Sequence, residues 1–402
     1  MSFPDAQTVR SSVGTVTAFE VPKPGVLPAQ WLHAAVDANV IHWDRSRLPE
    51  AAIQPASLDL HLGNIAYRLR CSFLSGEHHT VEQRLEDFVM GEVDLTRDGA
   101  VLETNRPYLI PLIEELDLPP DIRGKANPKS STGRIDVFTR LITDNGQRFD
   151  EIAPGYRGRL YLEVISSTFT IKVHPGLALN QLRLMHGRAL VSDEELALVH
   201  QRQPILFVNG LRVADDELQL SDGVFLGLDF TGDDRGTVGY RAKRNSRLLD
   251  LSKIGGHDPA DYWEPVRCER GDQLVLEPEE FYLLLSAEAV SIPREFAAEM
   301  AAYDPTSGEL RTHYAGFFDP GFGYDGRGLA GSQAALEVRA HDVPFMVQHR
   351  QRVCRLAFEQ LVEPADTLYG ESIGSNYQGQ QSTLSKYFAR PAPRDQLEFF
   401  DR

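Results

Sequence analysis

Ala153-Pro154-Gly155-Tyr156-Arg157-Gly158-Arg159-Leu160-Tyr161-Leu162-Glu163-Val164 reads as a tight turn feeding an alternating strand, with one carboxylate set among apolar neighbours. Its end returns later in the chain. Leu162-Glu163-Val164 recurs as Leu336-Glu337-Val338, 174 residues on. The same offset carries Val101-Leu102-Glu103 onto Val275-Leu276-Glu277, Tyr108 onto Tyr282, Leu118 onto Ile292 and Pro119 onto Pro293. An ordered set at one spacing predicts two copies of a single β-rich domain in tandem. The short strand-like runs, broken by Pro, Gly and Asp, point to a jelly-roll-like or distorted barrel architecture.

Just before the turn stands Asn127-Pro128-Lys129-Ser130-Ser131-Thr132-Gly133-Arg134, a polar loop with two adjacent hydroxyls and two cations. Backbone N–H groups and serine hydroxyls can donate to phosphate oxygens, and an arginine can grip them in pairs. On its own such a cluster is a weak signal and reads more often as a solvated turn. In the second copy it is echoed by Ser307-Gly308-Glu309-Leu310-Arg311.

Composition narrows the field. At 402 residues two or three domains are expected, and 42% hydrophobic residues can fill their cores. A formal net charge of −17 argues against a nucleic-acid surface and leaves free nucleotides open as ligands. Cys71, Cys268 and Cys354 lie far apart with no CxxC pair, which indicates neither a zinc site nor a disulfide framework and fits a reducing compartment. Residues 1–20 lack a basic region followed by an apolar core, and no run of about 20 apolar residues occurs. A soluble, cytoplasmic protein is the expectation.

In chain order, residues 1–25 read as an irregular arm, 26–200 as the first domain, 201–370 as the second and 371–402 as a tail. Pro28 to Val40 is a candidate helix with Trp31, Leu32, Ala35 and Val36 on one face. Ser57-Leu58-Asp59-Leu60-His61-Leu62-Gly63 is an alternating strand ending in glycine. Thr80-Val81-Glu82-Gln83 and Ser192-Asp193-Glu194-Glu195 each open a short helix with a capping-box pattern. The second of these is expected to close the first domain. Gly370 to Ser385 is polar and has little to bury, either a frayed end or a lid that orders over a ligand.

Together these residues resemble the dCTP deaminases of the trimeric dUTPase superfamily, in the two-domain form of some bacteria. The first half carries the resemblance in Ser57 to Gly63, Leu118 to Ile122, Lys129 to Arg134 and Pro154 to Glu163. The second carries it in Ile292-Pro293, Ser307 to Arg311, Ala315 to Phe322, Leu336-Glu337 and Tyr377-Gln378-Gly379-Gln380. The resemblance implies a mainly β protein of two tandem dUTPase-like domains, distorted jelly rolls with a few short helices. It implies zinc-independent hydrolysis of dCTP to dUTP and ammonia, with no protein-bound cofactor and magnesium arriving with the triphosphate. It implies a homo-oligomer, three chains placing six domains in two layers, with no nucleic-acid or membrane partner.

Site residues follow position by position. The resemblance makes Glu163 and Glu337 the candidate proton-transfer groups. A carboxylate between apolar strand residues is expected to be desolvated, although an exposed strand glutamate is the alternative. The resemblance gives Ser130, Ser131 and Arg134 to the triphosphate, and Ser130 and Arg134 also to the reacting water. Lys129 stands where an arginine is usual. Ser307 and Arg311 belong to the poorer second loop, which lacks a leading basic residue. The hairpin that holds the pyrimidine and excludes a ribose 2′-hydroxyl is kept at Ala315 to Asp319, whereas the first copy has an insertion and Ala153 in place of the aspartate. Tyr377, Gln378 and Gln380 form the closing tail.

Each copy thus departs from the pattern where the other keeps it. The expectation is a composite site: Ala315, Asp319 and Glu337 facing Lys129, Ser130, Ser131 and Arg134. Two rival readings stand beside it. One is dUTP diphosphatase, alone or coupled to deamination, with Asp319 activating water. The other is an inactive nucleotide-binding assembly module.

Overall fold

Strands form where branched and aromatic residues alternate, and each long strand is buried by the sheet facing it. In the computed structural model the described residues are 19–43, 50–269, 271–302, 310–313, 316–324, 331–370, 377 and 383–390. Tyr108–Asp117 and Arg157–Ser166 pair antiparallel at the centre of one sheet of the first half. A second sheet is built on Ala178–His186, which pairs with Ile122–Pro128 and Leu58–His61. Apolar side chains from both sheets, among them Leu58, Leu60, Ile110, Leu162 and Leu182, fill the space between them. The second half repeats the plan with Phe281–Val290 against Ser332–Ala340, and Phe296–Ala302 against Arg352–Gln360. This is the mainly β, dUTPase-like architecture expected.

The repeat extends to sheet register. Leu162 lies opposite Ile110 and Leu336 opposite Leu284, so both members shift by 174 residues. Ala126 opposite Leu182 and Met300 opposite Leu356 obey the same rule. Because one residue of slip would turn every core side chain outward, a shared register means a shared core.

Helices are few and short. Ala29–Asp37 buries Ala29, Leu32 and Ala35. Val81–Phe88 and Asp193–Arg202 begin with the expected capping boxes at Thr80 and Ser192. The second of these does not close the first half. Its Leu196 is buried in the second core with Val191 and Ile205, so the chain changes cores before this helix. The loop at Lys129 is also more regular than its polarity suggested. Ser130–Gly133 is a helical turn, in which Thr132 and Gly133 donate their N–H groups to the Lys129 carbonyl at 2.8 and 3.1 Å.

The halves are fused rather than strung apart. Tyr262, Trp263, Phe281 and Leu283 of the second half lie in the first core. Leu249–Asp250 pairs parallel with Ile171–Val173. Phe169 meets the Trp263 ring edge-on at 5.4 Å, and Phe388 of the tail meets that ring at 5.8 Å. The tail is therefore anchored on the seam. Among the described residues no helix is long and apolar enough to cross a membrane.

Candidate active site

A partly open cavity of about 280 Å³ lies at the seam. Lys129, Ser130, Ser131, Gly133 and Arg134 line it from the first half, with Asp59 and Gln181 beside them. Gly316, Phe317, Phe318, Asp319 and Glu337 line it from the second, and Tyr369, Tyr377 and Lys386 close it. The loop of the first half and hairpin residues of the second thus line the same cavity within a single chain.

Glu337 is 8% exposed. It sits on Ser332–Ala340 against the turn at Gly133, where a Cβ would lie 2.5 Å from its Oε2. Among the described residues no side chain donates a hydrogen bond to it. Burial holds its proton affinity well above the ordinary value of 4.5, Arg134 pulls against this, and Asp136 adds to it. Asp319 is buried too. Burial raises its proton affinity, opposed first by Arg183. Arg183 Nη2 donates to its Oδ1 at 3.2 Å and Ser57 Oγ to its Oδ2 at 3.2 Å.

Cations concentrate on the opposite wall. Lys129 pairs with Asp59. Arg134 is 4% exposed, donates from Nη1 to the Thr383 carbonyl at 3.1 Å and lies 3.7 Å from the centre of the Tyr377 ring. Lys386 has its proton affinity lowered, chiefly by burial and then by Lys129, with Asp59 opposing. Cations held in one desolvated wall are arranged for an anion that neutralises them. The tail crosses this wall. Ser385 Oγ donates to the Ser131 carbonyl at 2.8 Å, and the Lys386 N–H donates to Tyr377 Oη at 3.2 Å.

Glu163 lies elsewhere and is differently placed. It is 1% exposed, and its Oε1 accepts from Arg140 Nε at 2.9 Å and from Ser72 Oγ at 3.2 Å. Arg140 is itself stacked 4.0 Å from the centre of the Phe149 ring. The first copy's carboxylate, expected to be a lone group among apolar neighbours, is therefore a partner in a packed ion pair.

Of the sequence-derived candidates, Lys129, Ser130, Ser131, Arg134, Asp319, Glu337 and Tyr377 meet at the cavity. Arg311 lies opposite Arg339 in the strand Leu310–His313, next to the strand of Glu337. Ser307, Ala315, Gln378 and Gln380 lie outside the described residues. Asp59, Gln181, Tyr369 and Lys386 are cavity residues that the sequence reading did not single out. Asp59 carried a signal, being the one acid in the short strand Leu58–His61, which is buried throughout.

Comparisons with known proteins bear on both halves. The model for the 2′-deoxycytidine 5′-triphosphate deaminase (DCD) N-terminal domain matches residues 23–188, and that for the C-terminal domain matches residues 192–388. A "dCTP deaminase, dUMP-forming" of Halobacterium salinarum is 35% identical over 124 residues, which cover 30% of this chain and 59% of that relative. One of Corynebacterium kroppenstedtii is 30% identical over 161 residues, covering 38% of this chain and 82% of the relative. The crystal structure of 2′-deoxycytidine 5′-triphosphate deaminase from Agrobacterium tumefaciens superposes with a TM-score of 0.79 at 44% identity, covering 84% of this chain and 99% of that one. With both halves matched in order and the two-domain fold shared along its length, the chain belongs to the dCTP deaminase family of hydrolases.

Proposed function

We propose that the chain hydrolyses dCTP to dUTP and ammonia, supplying dUTP for pyrimidine deoxynucleotide synthesis in the cytoplasm. One observation carries this reading: a buried carboxyl of raised proton affinity, Glu337, faces the Lys129–Arg134 wall across a single cavity. Water adds through its oxygen to C4 of cytosine while Glu337 takes a proton from it. That proton passes to N3, Glu337 then moves the proton of the new 4-hydroxyl to the 4-amino group, and the C4–N bond breaks as the C4=O bond forms and ammonia leaves. Ser130 and Arg134 place the water. Lys129, Ser131 and Lys386 hold the triphosphate, which arrives as its magnesium complex. Asp319 and Ala315 hold the nucleoside, and Tyr377, Gln378 and Gln380 close the site. Zinc takes no part in this scheme. Ser307 and Arg311, on the second copy's loop, contribute less.

A second reading takes dUTP on to dUMP and pyrophosphate. The names of the Halobacterium and Corynebacterium relatives, dUMP-forming deaminases, favour it. Pyrophosphate released along with ammonia identifies it, and ammonia alone identifies the first.

From the family arrangement we also propose a homo-oligomer of three two-domain chains. Light scattering then gives three times the 44.9 kDa chain mass, and a single chain mass overturns the assembly.

The two glutamates separate in an ammonia-release assay. Glu337→Gln is expected to lower kcat by about 10²–10⁴, the usual worth of positioned proton transfer. Glu163→Gln should keep most of the activity, because its partner is Arg140. An inactive Glu163→Gln beside an active Glu337→Gln overturns the assignment.

Acid dependence follows from the same carboxyl. Its folded proton affinity exceeds the unfolded one, so its contribution to stability is complete below the unfolded pKa and is lost as pH rises through the folded value. Catalysis needs the ionised form, so kcat/KM should rise with pH along a limb above 4.5, the ordinary carboxyl value. Asp136→Asn removes a charge that raises this pKa, so the limb should move to lower pH. A limb that stays fixed in that variant shows that Glu337 does not set it.

A further inference from the structure

Arg183 stands between Leu182 and Leu184 in the strand Ala178–His186, and it is 0% exposed. It belongs to the first half, yet its guanidinium is spent on the second. Nη1 donates to the Ala298 carbonyl at 3.2 Å and to Glu359 Oε2 at 2.7 Å. Nη2 donates to Asp319 Oδ1 at 3.2 Å and makes a longer contact, 3.5 Å, with the Phe318 carbonyl. The Phe317 ring lies against its face, 4.0 Å from the centre. Three consecutive residues of the cavity hairpin, Phe317 to Asp319, are thus held by one planar fork. A lysine has one point charge and cannot reproduce that set.

The duplication isolates this feature. The residue 174 positions after Arg183 is Ala357. Ile152 pairs with Gly124 and Phe318 with Ala298, a partner shift of 174, so the next residues, Ala153 and Asp319, correspond. The cation and the carboxylate are therefore both alanine in the corresponding positions of the other copy. Each copy therefore keeps one member of the pair and has alanine in place of the other, and the pair joins the two halves.

We infer that Arg183 is the positioning residue of the nucleoside pocket, fixing Phe317, Phe318 and Asp319 from the other half of the chain. The inference deepens the deaminase reading and rests on its assignment of the nucleoside to this hairpin. Arg183 cannot reach a ligand itself, being fully buried. It acts through Asp319, whose carboxyl it aims through Oδ1 and whose proton affinity it holds down against the effect of burial. Ser57 supports the other carboxylate oxygen, Glu359 shares the guanidinium, and Tyr369 is the further titratable group whose proton affinity responds to Asp319. Without Arg183 the balance here shifts towards the protonated carboxyl, in which one oxygen becomes a donor.

The test is a double-mutant cycle of Arg183→Met and Asp319→Asn, read by calorimetric affinity for dCTP and for inorganic tripolyphosphate. All variants carry Glu337→Gln, so binding is read without turnover. Arg183→Met is expected to weaken dCTP by about tenfold or more and leave tripolyphosphate unchanged, because the cationic wall is not touched. In the Asp319→Asn background the same change should cost little more, since residues acting through one another are non-additive. Losses that multiply, an equal loss for tripolyphosphate, or unchanged dCTP affinity overturns the inference. If Arg183→Met does not fold, Arg183→Lys takes its place with the same expected pattern in both backgrounds. Failure of the deaminase reading shows separately, as dCTP that releases no ammonia with the unmodified enzyme.

Discussion

Space at Gly133 is the constraint on which the site depends. The Glu337 carboxyl occupies the place of a side chain at that position, and a Cβ there would stand 2.5 Å from Oε2. Gly133 ends the short helical turn of the first half, and Glu337 lies mid-strand in the second. Their approach brings the cationic turn against the carboxyl and shuts both from water. The raised proton affinity of Glu337 follows from that burial, with Arg134 restraining it. Other features of the seam hold this approach. Arg339, two residues from Glu337, pairs with Asp136, two residues beyond Arg134. Lys125 reaches Glu299 at 2.5 Å, and Arg183 reaches Asp319. A one-sided loss is costly in the two buried pairs, Arg339–Asp136 and Arg183–Asp319, because the remaining charge stays desolvated.

Duplication followed by division of labour accounts for the asymmetry. Both copies keep the Leu-Glu-Val strand in the same register. Only the first keeps two serines and a leading cation in its turn, and only the second keeps the hairpin aspartate. The first copy's glutamate has been absorbed into a stacked ion pair with Arg140. One cavity is then built from the complementary remains of two, and the tail of the same chain lies across it.

The sequence made the repeat, its β character and both capping boxes legible, because each rests on local spacing or on a fixed offset. It also showed which motif elements were intact in each copy, enough to anticipate a composite cavity. It could not separate Glu163 from Glu337, since their immediate neighbours are the same. What distinguishes them is the cross-strand residue Arg140, 23 positions away and opposite Glu163 only once the register is set. Arg183 was hidden for a similar reason, its partner being 136 residues away. The helix after Ser192 was given to the wrong half, because its cap says where it begins and not which core receives Leu196. The tail read as polar because its anchors, Tyr387 and Phe388, follow the polar stretch and are both buried.

The central claim is that one chain carries one nucleotide site, made from both of its halves. Calorimetric titration of dCTP into the Glu337→Gln protein counts those sites without turnover. The account predicts one nucleotide per chain. Two per chain, with the Glu163 side also filled, would contradict it.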